Sequence, residues 1–372
     1  MPAADPDPPP SELGKTPRRA DVPLPLPQEW TGAHVMDDRE TAAVNRVLES
    51  RSLFRYYGLS PQREVEQLER EFAEYIGVRH AVAVNSGTGA LQVALGALGV
   101  GPGHEVILPG YFWVSTVGAV VRAGAVPVLV DCDKTWSLDP EQIEARITPR
   151  TRAIIMVHMG GVIGRVRDVL AVARRHGIAV LEDAAQACGA AQFGTRAGAF
   201  GDMGIFSFQY NKMITAGEGG MVVTDDERLR DRAMAIHDLG YCRNREGRLL
   251  FDNPDVQLWG LGVRMAELPA ALLRVQLSRL DEVAARMRGC KNQIKDALAD
   301  CPGIEPRPVP DPDGDPGPFL YLTFPTPTAS HVFLDAIRAA GVQAGPDGYY
   351  PVHMTDWGLH IYYHNRSLVH KR

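Results

Sequence analysis

Lys212 ends the run Gln209-Tyr210-Asn211-Lys212, between the short apolar stretches Ile205–Phe208 and Met221–Thr224 and just ahead of the turn Gly217-Glu218-Gly219-Gly220. Most lysines are solvated surface groups. One held between buried strands is partly dehydrated, which lowers its pKa and leaves the neutral amine that Schiff-base chemistry requires. Ser207 stands five residues upstream, with a hydroxyl in reach of the same region. Asp183 follows the apolar run Ile178–Leu181, in Glu182-Asp183-Ala184-Ala185-Gln186. In open α/β sheets ligands sit beyond the carboxyl ends of strands. A carboxylate there can pair with a pyridinium nitrogen and keep it protonated. From position alone, a cap for the next helix is the plainer reading of Asp183. Glu182 should face the other side of the sheet.

A third group of residues suits an anion. Ala81–Val84 runs into Asn85-Ser86-Gly87-Thr88-Gly89, with a helix expected from about Ala90. Small residues let the backbone approach a phosphate, hydroxyls add donors, and the helix start offers unpaired N–H groups with a partial positive charge. A plain strand-to-helix turn with Thr88 as N-cap would use the same residues.

These residues need a scaffold that brings strand ends together. The runs Ala81–Val84, Glu105–Leu108, Val126–Val130, Ala153–Val157, Ile178–Leu181, Ile205–Phe208 and Met221–Thr224 all suit buried strands separated by helix-length segments. That alternation predicts an α/β domain with a mostly parallel seven-stranded sheet. Helical periodicity marks residues 41–50 and 62–76, and one long helical stretch is expected from Met265 to about Leu298. The remainder, with a Pro/Asp/Gly loop at 310–317, predicts a small C-terminal α+β domain. Nine of the first 27 residues are proline, which predicts a disordered leader over 1–30. The expected units are that leader, a large domain over 31–285 and a small, short domain over 286–372.

Composition narrows the partners. A net charge of −6 over 372 residues gives no reason to expect nucleic acid or an anionic membrane. No apolar run approaches the roughly 18 residues that span a bilayer, and the N-terminus lacks a secretory pattern. Five scattered cysteines, never spaced CxxC, read as reduced thiols in a cytoplasm, with no metal site. The absence of GxGxxG after the first strand argues against a dinucleotide oxidoreductase.

Taken in order, the segments at 85–88, Trp113-Val114-Ser115-Thr116, Val157-His158-Met159-Gly160, 182–186, 207–212, 217–220 and Arg264-Met265-Ala266-Glu267-Leu268 resemble the DegT/DnrJ/StrS sugar aminotransferases. These are fold-type-I enzymes that use pyridoxal phosphate (PLP). The resemblance implies that Lys212 binds the cofactor covalently and shuttles the substrate proton. Asp183 would pair with the pyridine nitrogen, and Gln186 would lie near the phenolic oxygen. The Gly87–Thr88 backbone, the Thr88 side chain and Ser207 would hold the phosphate, while Trp113 stacks on the ring. Glutamate or glutamine would donate nitrogen, with pyridoxamine phosphate as the intermediate, to a keto-sugar, keto-sugar acid or keto-cyclitol. A cytoplasmic homodimer with shared active sites is implied.

Candidate substrate contacts are Arg55, for an anionic group, with Tyr57, His158 and Arg264; solvation of Arg55 and packing of His158 are the plainer readings of those two. Tyr349, Tyr350, His353, Trp357 and His360 in the tail fit either a pocket wall or, more simply, packing of the small domain. Gly262 stands where the family usually has an asparagine that reaches the neighbouring subunit, and the C-terminus is short for the family. Those two departures keep open a non-catalytic relative. A dehydratase that works through pyridoxamine phosphate shares the fold but replaces the lysine with histidine, whereas Lys212 is present here.

Overall fold

The computed structural model describes residues 31–342 and 351–371. The leader expected over 1–30, Tyr349 and Tyr350 lie outside the described residues. Seven strands form the main sheet: β1 (His80–Val84), β2 (Glu105–Pro109), β3 (Val126–Val130), β4 (Thr151–Val157), β5 (Ala179–Asp183), β6 (Met203–Ser207) and β7 (Gly220–Thr224). Their order is β1-β7-β6-β5-β4-β2-β3. Only β7 runs against its neighbours, so the carboxyl ends of the other six strands share one edge of the sheet.

Alternation along the strands divides the core in two. Ile154, Met156, Val180, Phe206 and Met221 face α2 (Glu64–Ile76) and α5 (Val166–His176), where Phe72 meets Phe206 edge-on at 4.9 Å. Val82, Leu108, Ile155, Leu181 and Ile205 face α3 (Gly87–Ala97), α4 (Val114–Arg122) and α6 (Glu227–His237). A strand buried on both faces must be apolar throughout, which is why the strands read as continuous runs. Preceding the sheet, α1 (Asp38–Ser50) opens with Asp37 in a capping box with Glu40.

The expected single helix after Met265 is two: α7 (Glu267–Leu277) and α8 (Leu280–Leu298), broken at Ser278 and Arg279. Neither α8 nor any other helix among the described residues is long and apolar enough to cross a membrane. The expected boundary at 285/286 falls inside α8. Beyond it come a two-stranded ribbon (Glu305–Pro306 with Leu322–Thr323) and α9 (Pro327–Ala339). The tail then returns to the large sheet. The Phe112 N–H donates to the His360 carbonyl (2.8 Å), and the Tyr362 N–H to the Gly110 carbonyl (3.2 Å).

Strand β1 lies at the sheet edge, where unpaired backbone groups invite stray pairing. A buried ion pair closes it. Glu69 Oε1 accepts the Ala83 N–H (2.8 Å), Arg55 Nη1 donates to the Ala83 carbonyl (3.2 Å), and Arg55 and Glu69 bind each other through two contacts of 2.8 and 3.0 Å. Arg55 is therefore committed to the scaffold. Its expected solvation is corrected, because its side chain is only 4% exposed.

His237 completes this cluster. Its Nδ1–H donates to the Met234 carbonyl (2.6 Å), leaving Nε2 as acceptor 3.2 Å from both Arg55 Nη1 and the Tyr56 hydroxyl. Burial, and then the Arg55 charge, push the His237 pKa down from 6.5 to about 3. Between those values the unfolded chain binds a proton that the folded one does not. Stability from the neutral imidazole is thus complete above pH 6.5 and drains away as pH falls towards 3. Urea denaturation should show the wild type losing about 2 kcal/mol more than His237→Gln between pH 7 and pH 5. Parallel losses in the two proteins would contradict this assignment.

Candidate active site

A cleft opens where the strands end. Around it stand Gly87 and Thr88 after β1, Trp113 after β2, His158 after β4, Asp183 on β5, and Ser207 and Lys212 at and beyond the end of β6. Gln186 also borders it. The fold thus gathers residues up to 125 positions apart in sequence, from Gly87 to Lys212, from the ends of several different strands.

At one end is the start of α3. Ser86, not Thr88, is the N-cap: its hydroxyl accepts the Gly89 N–H at 2.9 Å, and the helix begins at Gly87 rather than near Ala90. The Gly87 and Thr88 N–H groups belong to the first turn, which has no intrahelical acceptors for them. Freed from capping, the Thr88 hydroxyl donates to Ser115 Oγ (3.0 Å) beside the cleft. Close approach is built in. A Cβ on Gly87 would lie 2.7 Å from the Ser207 Cβ, and one on Gly220 would lie 2.4 Å from the Ser86 carbonyl oxygen. Glycine at both positions lets the β6 and β7 ends close against the helix start and aims the Ser207 hydroxyl into the same corner.

At the opposite end lies Asp183, 4% exposed. It caps no helix. Its carboxylate accepts from Thr116 Oγ1 (2.7 Å) and the Ala185 N–H (3.2 Å). Burial raises its pKa, opposed by those two hydrogen bonds and by the nearby charge of Lys212. Thr116 lies outside the site residues that the sequence points to; its signal is the small-polar run after Trp113.

Glu182 points to the other face, as its place on the strand requires. It accepts N–H groups from Gly198, Phe200 and Gly201 (2.9, 2.6 and 2.7 Å) and meets His158 Nε2 at 2.8 Å. His158 is therefore neither isolated nor purely packing: it borders the cleft and has a carboxylate partner that sequence spacing did not supply. The pairing follows from register, since β4 and β5 align Met156 with Glu182 and Val157 with Asp183.

Gln186 Oε1 accepts the Gly160 N–H (2.8 Å), which leaves the amide nitrogen as its donor end. Trp113 keeps its indole 45% exposed at the mouth. Tyr57 and Arg264 do not border the cleft within this chain, nor does Arg55. Tyr57 is 60% exposed and packs edge-on against Phe54 at 4.8 Å, and Arg264 pairs with Asp238. Trp357 and His360 border a second chamber beside Lys212, and Trp357 also packs against Phe319 and Tyr321, so both readings of the tail hold there. The backbone pairing of the tail with residues 110–112 carries them there.

The family model for DegT/DnrJ/EryC1/StrS aminotransferases matches residues 34–368. The GDP-perosamine synthase of Caulobacter vibrioides is 45% identical over 228 residues, covering 61% of this chain and 60% of that protein. The putative L-glutamine:3-amino-2,3-dideoxy-scyllo-inosose aminotransferase of Streptoalloteichus tenebrarius is 41% identical over 271 residues, covering 72% and 63%. Among solved structures, 3-amino-5-hydroxybenzoic acid synthase superposes with a TM-score of 0.74 at 35% identity, covering 87% of this chain and 84% of that one. The matches span just over three fifths of the length of the two curated relatives.

The close contact at Gly87 has a measurable cost. Gly87→Ala forces its methyl group against the stem of Ser207, and overpacking of this kind costs about 1–3 kcal/mol. Chemical denaturation should record that loss; an unchanged midpoint would mean that the β6 end is free to withdraw.

Proposed function

Because this chain belongs to the DegT/DnrJ/EryC1/StrS aminotransferase family and has the fold-type-I architecture, we propose that it is a PLP-dependent aminotransferase. It takes nitrogen from glutamate or glutamine and delivers it to a keto-sugar, keto-sugar acid or keto-cyclitol. The observation that carries this reading is the shared cleft with a helix N-terminus at one end, a buried carboxylate at the other, and Lys212 beside both.

The residues present fit the cofactor. A dianionic phosphate suits the Gly87 and Thr88 N–H groups, the Ser207 hydroxyl and the partial positive charge of α3. A cationic ring nitrogen suits Asp183, whose raised pKa marks a buried charge short of compensation. When bound, PLP supplies a reactive carbonyl and an electron sink, and it carries the nitrogen as pyridoxamine phosphate between donor and acceptor.

The chain does the rest. Asp183, held in place by Thr116 and Ala185, keeps the ring nitrogen protonated. Gln186, its oxygen fixed by Gly160, offers its amide N–H to the phenolic oxygen. Trp113, at the cleft wall, would stack on the cofactor ring. Lys212 Nζ moves the proton to and from the substrate carbon, and serves as the covalent tether between turnovers. With Lys212 in this position, neither the non-catalytic nor the dehydratase reading is favoured by any feature of the site.

A homodimer with shared active sites fits the surface. Trp259 is 94% exposed, Phe251 66% and Leu261 47%, all on the stretch between α6 and α7. Large apolar groups clustered on one exposed segment mark an interaction surface. Gly262, with φ of +67°, holds a left-handed conformation that glycine and asparagine both tolerate. A reducing cytoplasm agrees with the five unpaired cysteines.

Mixing the purified protein with PLP should produce a yellow band that bleaches on adding glutamate or glutamine. Lys212→Ala should lose the band's covalent character and at least a thousandfold in transfer rate, with an unchanged circular dichroism spectrum. A variant that turned over at the wild-type rate would refute the role given to Lys212.

A further inference from the structure

Lys212 borders two chambers. The first holds the start of α3 and Asp183; the second lies beyond Lys212 and is closed by Phe319, Trp357 and His360. Trp113, Gln186 and Lys212 belong to both, so the reacting position sits at their junction. With the cofactor assigned to the first chamber, the second offers room for the body of a substrate beside Lys212.

His360 is the unusual group there. It is 3% exposed, stacked on Trp357 at 3.9 Å and 17°, with Tyr111 at 5.8 Å and Trp113 at 5.0 Å. Its Nδ1 lies 2.6 Å from the Trp357 carbonyl. A carbonyl only accepts, so Nδ1 carries the proton and Nε2 carries a lone pair. Nε2 is buried without a hydrogen-bond partner among the described residues. An acceptor left unmet in a buried wall destabilises the fold unless something arrives to meet it.

From this geometry we infer that His360 is a substrate-specificity residue: its Nε2 accepts a hydrogen bond from a ring hydroxyl of the acceptor substrate, a hydroxylated six-membered ring. The inference rests on the aminotransferase reading for the position of the reacting carbon. Other features agree with it. Phe319, in the wall of the same chamber, supplies apolar aromatic surface suited to the C–H side of such a ring. Burial, opposed by the Trp357 carbonyl and reinforced by the Lys212 charge, lowers the His360 pKa to about 4. At neutral pH the imidazole is an uncharged acceptor, unsuited to a carboxylate or phosphate and suited to an O–H donor. The donor amino acid, whose recognition needs cations for its carboxylates, gains nothing from it.

The test compares wild type, His360→Ala and His360→Gln, all loaded with PLP, by titrating scyllo-inosamine and, separately, glutamate against the visible band. The expected result is that His360→Ala raises the half-saturating scyllo-inosamine concentration at least tenfold and leaves that for glutamate within twofold. His360→Gln, which retains an acceptor, should recover most of the loss. An unchanged scyllo-inosamine response in His360→Ala overturns the proposal. So does an equal loss for both amines, or a wild type that responds to glutamate and ignores scyllo-inosamine. A wild type with no band at all would instead refute the cofactor reading. In that event scyllo-inositol quenching of tryptophan fluorescence decides for His360: quenching in wild type but not in His360→Ala supports it, and any other pattern overturns it.

Discussion

Two carboxylates stand side by side on β5, and burying a carboxylate is among the most costly things a fold can do. Glu182 and Asp183 meet that cost in opposite ways. Glu182 is enclosed by three backbone N–H groups and His158, so its charge is balanced from within the chain. Asp183 accepts, among the described residues, from the Thr116 hydroxyl and one N–H, has the Lys212 charge nearby, and still has its pKa raised by burial. One acid anchors the sheet to the loop at 198–201. Its neighbour is left short of a counter-charge, at the edge where six strands end. The chemistry of the cleft depends on that asymmetry, because an acid only partly balanced by the nearby Lys212 retains affinity for a further cation.

Holding the far end of the cleft in register is a separate problem. The helix start at Gly87 hangs from β1, an edge strand, and edge strands drift unless their outer groups are occupied. Arg55 and Glu69 occupy both outer groups of Ala83, while Gly87 and Gly220 let β6 and β7 press against the helix start. The distance between the anion corner and Asp183 is thereby set by backbone packing across four adjacent strands. A rigid cofactor needs a gauge of that kind more than it needs strong individual contacts.

The strands could be read from their apolar runs because both faces of the sheet are covered along most of its width, β3 at the edge being partly exposed. Strand ends then located Lys212, Asp183 and the Gly87–Thr88 corner. What escaped sequence reading was contact across elements. His158 finds Glu182 only through the register of β4 with β5, and His360 reaches the site only because the tail pairs with residues 110–112, some 250 positions earlier. Arg55 looked like a surface arginine because nothing local shows that Glu69 lies on the next helix facing it. The Ser86 cap, two residues from the expected one, and the break at Ser278 and Arg279 inside an expected single helix are matters that local geometry decides and composition does not.

The attachment of the tail is of a different kind. It is made by main-chain groups, Phe112 to His360 and Tyr362 to Gly110, and main-chain groups are the same whatever side chains they carry. The segment is therefore held by bonds indifferent to its sequence while presenting side chains next to Lys212. Selection can rewrite those side chains without loosening the segment, and without touching the strand ends that form the cleft. Such a separation lets one inherited reaction be re-aimed at new molecules by editing a short peripheral stretch, so lineages sharing this scaffold can diversify in what they accept while conserving how they act.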